Sequence, residues 1–212
     1  MTTGLLVVVA ALMAYLLGSF PAGYLLGRLW GVNVLEWGSG RTGGTNVLRS
    51  AGPLPALLTG ALDVGKGALA VWLAGQVVPG SAQAMTQVLA GAAVILGHNH
   101  SVFLGFRGGA GVGTSLGALS VIYWPAAVAL LLTLLAVVAI TRYASVGSLT
   151  VSTLMPIILL GLGLLGVLPV AYFFYGLLAW IIIVLAHRPN IRRLIQGTER
   201  RLGERGSPQS SP

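Results

Sequence analysis

Long apolar segments alternate with short polar junctions along almost the whole chain. Several windows reach the roughly 20 apolar residues that cross a bilayer as a helix. A Trp124-Pro125 pair interrupts one of the later segments. The pattern predicts an all-α polytopic membrane protein with about seven spans, at about 4–27, 53–78 and 84–97, a short piece that ends near 123, and then 126–140, 149–162 and 167–186.

Positively charged residues collect at alternate junctions. If the junction 28–49 is cytoplasmic, alternation of the spans places Arg107, Arg142 and the tail 188–205 on the same side, and the opposite junctions carry no charge. Cytoplasmic loops of membrane proteins carry an excess of Lys and Arg. The pattern therefore predicts an N-terminus outside, a cytoplasmic C-terminus and an active site built from cytoplasmic-face loops.

Composition supports the membrane assignment and narrows the chemistry. The 212 residues have a mean hydropathy of +0.90 and only 8% are charged, whereas soluble domains carry about 25% charged residues. The chain has no cysteine, which excludes disulfides and thiol catalysis. The net charge of +8 favours anionic partners rather than nucleic acid. We expect one integral-membrane domain over 1–205 and a disordered tail over 206–212.

Three polar junctions share an unusual composition. The first, 38–49, combines glycines, hydroxyls and two arginines. The second, 98–114, again combines glycines and hydroxyls with one arginine, and 141–148 is a third polar junction. Backbone N–H groups, hydroxyls and guanidinium groups are the donors that bind phosphate. The first junction also matches G-x-G-x-x-G, but no strand precedes it, so a dinucleotide fold is rejected. All three junctions fall on one predicted face and can converge into one anion site.

Ionisable residues inside or beside the spans leave several alternatives. Asp63 and Lys66 lie three apart on one helical face, so they form either a structural ion pair or a ligand site. His98 and His100 are two apart, which does not suit a helical zinc site, and we expect no metal. His98 or His187 is a candidate for proton transfer.

These stretches together resemble one family, the bacterial membrane acyl-phosphate:glycerol-3-phosphate acyltransferases (PlsY-type). Its first motif resembles residues 18–24 and 38–49 with Asp63, Lys66 and Gly67, its second resembles 97–114, and its third resembles 187–199. The resemblance implies a seven-span fold in the bacterial cytoplasmic (inner) membrane. It also implies acyl transfer from acyl phosphate to the 1-hydroxyl of glycerol 3-phosphate, giving lysophosphatidate and phosphate in phospholipid biosynthesis.

The resemblance implies partners as well. A soluble acyltransferase would supply the acyl phosphate, acyl-CoA and acyl-carrier protein would not be direct donors, and no metal or organic cofactor would be needed. The expected catalytic residues are Ser39, Arg49, His98, His187 and Asn190. The expected phosphate and substrate ligands are Gly40, Arg41, Thr45, Asn46, Lys66, Gly109, Gly111, Thr114 and Ser145, with Ser148 as the alternative to Ser145.

Two positions depart from the family pattern. Ala110 stands where the second motif usually has lysine, and Arg41 stands where the first usually has asparagine. We hypothesise that the Arg41 guanidinium replaces the missing ammonium, although arginine binds phosphate with a different geometry. The rival hypothesis is a paralogue with a different acceptor or with no activity.

The predicted mechanism is direct attack by the substrate hydroxyl. No cysteine and no Ser-His-Asp set is apparent, and an acyl phosphate already carries a good leaving group, so positioning and charge neutralisation suffice. The base is His98, His187 or the phosphate of the substrate. One alternative, a small-anion transporter, would require internal repeats and charges along a midplane path. The other, a non-catalytic scaffold, would not require three junctions of phosphate-binding composition on one face.

Overall fold

The computed structural model describes residues 3–203, and within this range the ordered elements are α-helices with short 3₁₀ turns. The helices are α1 (Thr3–Ser19), α2 (Ala22–Leu29), α3 (Gly44–Ala51), α4 (Pro53–Val77), α5 (Gln83–Asn99), α6 (Val112–Thr141), α7 (Ala144–Leu164), α8 (Tyr172–Ala186) and α9 (Arg188–Ile195). The β pairing among these residues is one isolated antiparallel bridge between Ser101 and Arg107. The described part of the chain therefore has no dinucleotide-binding sheet, as predicted.

Five segments in the described range are long and apolar enough to cross a membrane, and a sixth is obtained if the bent pair α8 and α9 forms one span. The first of these segments joins α1 and α2 into a stretch of 27 residues, Thr3–Leu29. Large apolar side chains on the outer faces remain exposed, among them Leu57 at 71% and Leu132 at 61%. Such extensive apolar exposure suits lipid and not water, and it confirms the predicted all-α membrane fold.

Helix α6 turns back on itself at Tyr123. The backbone of Tyr123 is non-helical, with φ −159° and ψ 93°, and Pro125 follows within the same segment. Val112 and Val138 lie near opposite ends of α6, yet both line one cavity of about 320 Å³. A straight helix would separate them by roughly 40 Å. The two arms of α6 therefore form separate elements, as the break predicted at Trp124-Pro125 indicates, although the described range supports five or six candidate spans rather than the predicted seven.

Glycines allow α4 and the first arm of α6 to pack backbone against backbone. A Cβ atom at Gly67 would lie 2.1 Å from the carbonyl oxygen of Thr114, and one at Gly117 would lie 1.9 Å from the carbonyl oxygen of Val64. Small residues permit such close approach of membrane helices, where van der Waals packing drives association. This crossing fixes the start of α6 beside the middle of α4, which carries Asp63.

Several boundaries differ from the prediction. Helices α3 and α9 lie inside stretches that the hydropathy pattern assigns to a polar junction and to the tail, because both are short and carry polar residues on one face. Helix α7 begins at Ala144, ahead of the predicted 149, since first-turn N–H groups need no intrahelical acceptor and polar residues are tolerated there. Helix α8 begins at Tyr172, after the predicted 167, because Pro169 and the positive φ of Gly166 keep the preceding chain in turns.

Two predictions stay open. The part of the tail predicted to be disordered, 206–212, lies outside the described residues. The assignment of the cavity end of the bundle to the cytoplasm also stays a prediction.

Candidate active site

A cavity of about 320 Å³ lies where the three glycine-rich junctions meet, and we call it the main cavity. Residues from the first junction, the second junction and the start of α7 all line it, together with the segment after α8. Its polar lining includes Ser39, Arg41, Thr45, Asn46, Arg49, Asp63, His98, Ser145, Ser148, His187, Asn190, Arg193, Glu199 and Arg200. Leu134, Leu135, Val138 and Leu202 form an apolar side. The predicted convergence of the junctions is confirmed.

Three helices begin at the main cavity. The first residues of α3 (Gly44 and Thr45), of α6 (Val112 and Gly113) and of α7 (Ala144 and Ser145) are all part of its lining. First-turn N–H groups have no intrahelical acceptor, and the helix dipole places partial positive charge at this end. The backbone itself therefore makes the main cavity favourable for an anion such as phosphate.

Most of the predicted site residues line the main cavity. They are Ser39, Arg41, Thr45, Asn46, Arg49, His98, Gly111, Ser145, His187 and Asn190. Gly40, Lys66, Gly109 and Thr114 lie outside its lining. Ser145 and Ser148, which the resemblance gave as alternatives, both line the main cavity.

Asn46 holds the first junction in shape. Its buried side chain accepts a hydrogen bond from the backbone N–H of Ser39 at 3.0 Å. Its amide nitrogen faces three loop carbonyl oxygens, those of Val34 at 2.9 Å, Trp37 at 3.1 Å and Arg41 at 2.9 Å. An amide that is committed to the loop backbone in this way fixes where Ser39 and Arg41 stand.

Arg41 crosses from the first junction to the end of α8. Its guanidinium donates a hydrogen bond to Asn190 Oδ1 at 3.1 Å and another to the carbonyl oxygen of Ala186. Burial, reinforced by the positive charge of Arg193, lowers the pKa of Arg41 below its ordinary value, but an arginine remains protonated in proteins. Arg41 and Ala110 line the same cavity. The permanent positive charge of Arg41 therefore lies in the same cavity as position 110, where the family pattern usually has lysine.

A buried chain of polar contacts runs from Lys66 to His98. Lys66 Nζ lies 2.9 Å from Asp63 Oδ1 and donates to the carbonyl oxygen of Phe20 at 3.1 Å. His98 Nδ1 lies 3.3 Å from the same carboxylate oxygen of Asp63. Asp63 and His98 line the main cavity, whereas Lys66 does not. Lys66 therefore neutralises the buried carboxylate, and that carboxylate orients His98.

Gly109 packs directly against the His98 ring. Its N–H donates to the carbonyl oxygen of His98 at 2.9 Å, and a Cβ atom at this position would lie 2.1 Å from His98 Nε2. Thr114 is completely buried where α6 crosses α4. Both residues thus shape the main cavity from behind its wall.

His187 is held in one tautomer. Its buried ring places Nδ1 2.8 Å from the carbonyl oxygen of Ile183. A carbonyl oxygen only accepts hydrogen bonds, so Nδ1 carries the proton and Nε2 of the neutral ring retains a lone pair. In this tautomer, Nε2 of a residue that lines the main cavity is the nitrogen able to accept a proton.

Glu199 is a site residue that the sequence reasoning did not select. Its carboxylate accepts hydrogen bonds from Ser145 Oγ at 2.8 Å, Asn190 Nδ2 at 2.7 Å and Arg193 Nε at 2.7 Å. Burial would raise the pKa of Glu199, but these three donors outweigh that effect and the pKa lies below its ordinary value. The signal that the sequence offered for Glu199 is that it is an acidic residue within a strongly basic tail.

The main cavity offers no cluster suited to a metal. Within residues 3–203, no group of three or more His, Cys, Asp or Glu side chains is arranged to hold a metal ion. The polar groups that line the main cavity include guanidinium groups, hydroxyls, imidazoles and helix N-termini.

Comparison with known proteins identifies the family. The sequence model of the family described as glycerol-3-phosphate acyltransferase matches residues 8–197. The chain belongs to the glycerol-3-phosphate acyltransferase family. It is 40% identical over 201 residues to the glycerol-3-phosphate acyltransferase of Carboxydothermus hydrogenoformans, covering 94% of this chain and 98% of the relative. It is 43% identical over 204 residues to that of a Jannaschia species, covering 96% of each chain.

Solved structures of a family member match the fold. The crystal structure of PlsY (YgiH), an integral membrane glycerol 3-phosphate acyltransferase, in its glycerol 3-phosphate form has a TM-score of 0.83 and 34% identity, covering 93% of this chain and 96% of that chain. Its lysophosphatidic acid form has a TM-score of 0.81, covering 93% and 95%. This member of the glycerol-3-phosphate acyltransferase family is therefore a PlsY-type, multi-pass membrane enzyme.

Proposed function

We propose that this chain transfers a fatty acyl group from an acyl phosphate to the 1-hydroxyl of glycerol 3-phosphate. The observation that carries the proposal is the mixed lining of the main cavity, which combines Arg41, Arg49 and three helix N-termini with the apolar side chains of Leu134, Leu135 and Val138. The polar side suits phosphate groups and the apolar side suits a fatty acyl chain. The glycerol 3-phosphate and lysophosphatidic acid forms of the PlsY neighbour support the same substrate and product.

The reaction needs no covalent enzyme intermediate. The 1-hydroxyl oxygen attacks the acyl carbonyl carbon, and the bond between that carbon and the phosphate oxygen breaks, with its electron pair leaving on phosphate. The hydroxyl proton passes to His98, His187 or a phosphate oxygen of the substrate. Helix N–H groups and the Ser39 hydroxyl stabilise the oxyanion. The products are lysophosphatidate and inorganic phosphate.

Two arginines share the anion-binding role in this proposal. Arg49 extends from α3 and Arg41 from the preceding loop, and both line the main cavity. Arg41 supplies the charge that Ala110 lacks, because its guanidinium lies in the same cavity and is already oriented by Asn190. Glycerol 3-phosphate and acyl phosphate both carry phosphate, so two cations can neutralise two anionic substrates.

The proposal extends to the cellular setting. The enzyme works in the bacterial cytoplasmic (inner) membrane, with the main cavity facing the cytoplasm, where glycerol 3-phosphate is available. A soluble acyltransferase partner supplies the acyl phosphate. The support is the collection of arginines at the cavity end of the bundle, typical of cytoplasmic loops.

The direct test is phosphate release by the purified protein given palmitoyl phosphate and glycerol 3-phosphate, with the lipid product identified by mass spectrometry. We expect release that depends on glycerol 3-phosphate, with lysophosphatidate formed in equal amount. Folded protein that releases no phosphate, or makes another lipid, would contradict the proposal and favour a paralogue with a different acceptor or with no activity.

Arg41→Asn tests the compensation for Ala110. We expect the KM for glycerol 3-phosphate or for acyl phosphate to rise about tenfold, because a charge-assisted hydrogen bond to phosphate is lost. Arg28→Asn is the matched control, since Arg28 is exposed at the end of α2 and does not line the main cavity. Equal kinetics for Arg41→Asn and the control would refute the compensation while leaving the main reaction intact.

A further inference from the structure

A second cavity of about 550 Å³ adjoins the main cavity, and we call it the side cavity. Arg49, Val138 and Leu202 line both cavities, so the two spaces are neighbours. The side cavity continues along the second arm of α6 past Ala139 and ends at Arg142. A molecule formed in the main cavity therefore lies next to the side cavity, with three side chains common to both.

The walls of the side cavity have two characters. Leu48 of α3, together with Val138, Ala139 and Leu202, presents apolar surface, while Arg49 and Arg142 bring guanidinium groups to the same space. Among the described residues that line the side cavity, none is a carboxylate that would compete for Arg142. The apolar wall makes no favourable contact with inorganic phosphate or glycerol 3-phosphate. An amphiphile with an anionic head can contact both the guanidinium groups and the apolar wall.

Arg142 is fixed in place but has donors to spare. It ends α6 in the left-handed region at φ 62°, and its Nη2 donates to the carbonyl oxygen of Leu202 at 3.1 Å. The N–H of Leu202 in turn donates to the carbonyl oxygen of Arg142 at 2.6 Å. A guanidinium has five N–H donors, so this anchoring bond leaves most of them directed elsewhere around an exposed side chain.

We propose that the side cavity is a second binding site, for a lipid phosphate with a single acyl chain. The phosphate head binds Arg142 and the chain lies along Val138 and Ala139. The natural occupant, which rests on the proposed function, is the lysophosphatidate that leaves the main cavity. The side cavity then holds the product away from Ser39 and the site histidines, so that glycerol 3-phosphate can bind before the lipid has left.

The test measures binding of labelled lysophosphatidate to the full chain in nanodiscs of neutral phosphatidylcholine, with and without saturating glycerol 3-phosphate. We expect two bound lysophosphatidates per chain without glycerol 3-phosphate and one with it, the remaining one being in the side cavity. Arg142→Gln is expected to weaken that remaining binding about three- to tenfold, the effect of losing a charge-assisted contact at an exposed site. Arg142→Lys should retain most of it, and the control Arg28→Gln should retain all of it.

Ala139→Trp provides an independent variant, because an indole at this position fills the side cavity without removing a charge. It should abolish the binding that survives glycerol 3-phosphate and leave the affinity for glycerol 3-phosphate unchanged. Inorganic phosphate should compete poorly, since it lacks the chain, and effective competition by it would overturn the assignment to a lipid phosphate. A single lysophosphatidate per wild-type chain, or surviving binding that is indifferent to both variants, would overturn the second site. Two bound lipids on a protein that forms no lysophosphatidate would uphold the second site and refute the proposed function.

Discussion

The Lys66–Asp63–His98 chain can be tested by separating its effect on stability from its effect on the reaction. Asp63→Leu removes the carboxylate, and among the described residues the buried Lys66 ammonium keeps the carbonyl oxygen of Phe20, at 3.1 Å, as its acceptor. Removing one partner of a buried ion pair costs about 3–5 kcal/mol. We expect the lower end, about 3 kcal/mol, because membrane helices find other polar partners when they come apart.

Lys66→Met added to Asp63→Leu should restore stability. Replacing both members of a buried pair by apolar residues of similar volume is often neutral or stabilising. At roughly 2–4 °C for each kcal/mol in a chain of this size, the single variant should lower the thermal midpoint by about 6–12 °C and the double variant should recover most of that loss. The activity should not recover, because His98 Nδ1 no longer has the Asp63 oxygen at 3.3 Å.

The assay compares thermal unfolding in detergent with initial rates of phosphate release. A matched control is Asp63→Asn with Lys66→Met, which keeps an acceptor oxygen for His98 while removing both charges, and it should retain more activity than Asp63→Leu with Lys66→Met. Recovery of stability and activity together in the all-apolar double variant would refute the idea that Asp63 orients His98. Failure of Lys66→Met to restore stability would refute the idea that the unpaired lysine is the cause.

Two further predictions concern the walls of the main cavity. Gly109→Ala should lower the rate about tenfold to a hundredfold with a small effect on folding, because the added Cβ would lie 2.1 Å from His98 Nε2 and would displace the ring. The control is Gly65→Ala, where a Cβ meets nothing within 4 Å. Equal rates for the two variants would contradict the role of Gly109. Glu199 has a folded pKa below its usual 4.5, so its contribution to stability is complete above pH 4.5 and is lost as the pH falls through the folded pKa. The thermal midpoint of the wild type should therefore fall more steeply below pH 4.5 than that of Glu199→Gln, and parallel curves from scanning calorimetry would show that the hydrogen bonds to Ser145, Asn190 and Arg193 do not depend on the charge.

The sequence predicted the spans because hydropathy is a local property of each segment. It predicted the turn of α6 to within a residue, since Trp124-Pro125 follows the non-helical Tyr123 directly. It missed the short helices α3 and α9, whose sequences are too polar and too brief to produce a span-like signal. Helix α3 is stabilised by packing of its buried Asn46 and Val47, whereas α9 is held through polar contacts such as that between Asn190 and Arg41.

The amino-acid sequence by itself determined which residue types could bind phosphate and that they lie at three junctions on one face. Only the tertiary structure decided which of them meet. Arg41 contacts Asn190 across 149 positions of the chain, and Ser145 donates to Glu199 across 54. Lys66 and Thr114, which composition groups with the phosphate ligands, lie behind the cavity wall because the close crossing of α4 and α6 buries them there. Contacts of this kind depend on how helices pack, and helix packing is set by surfaces far apart in sequence.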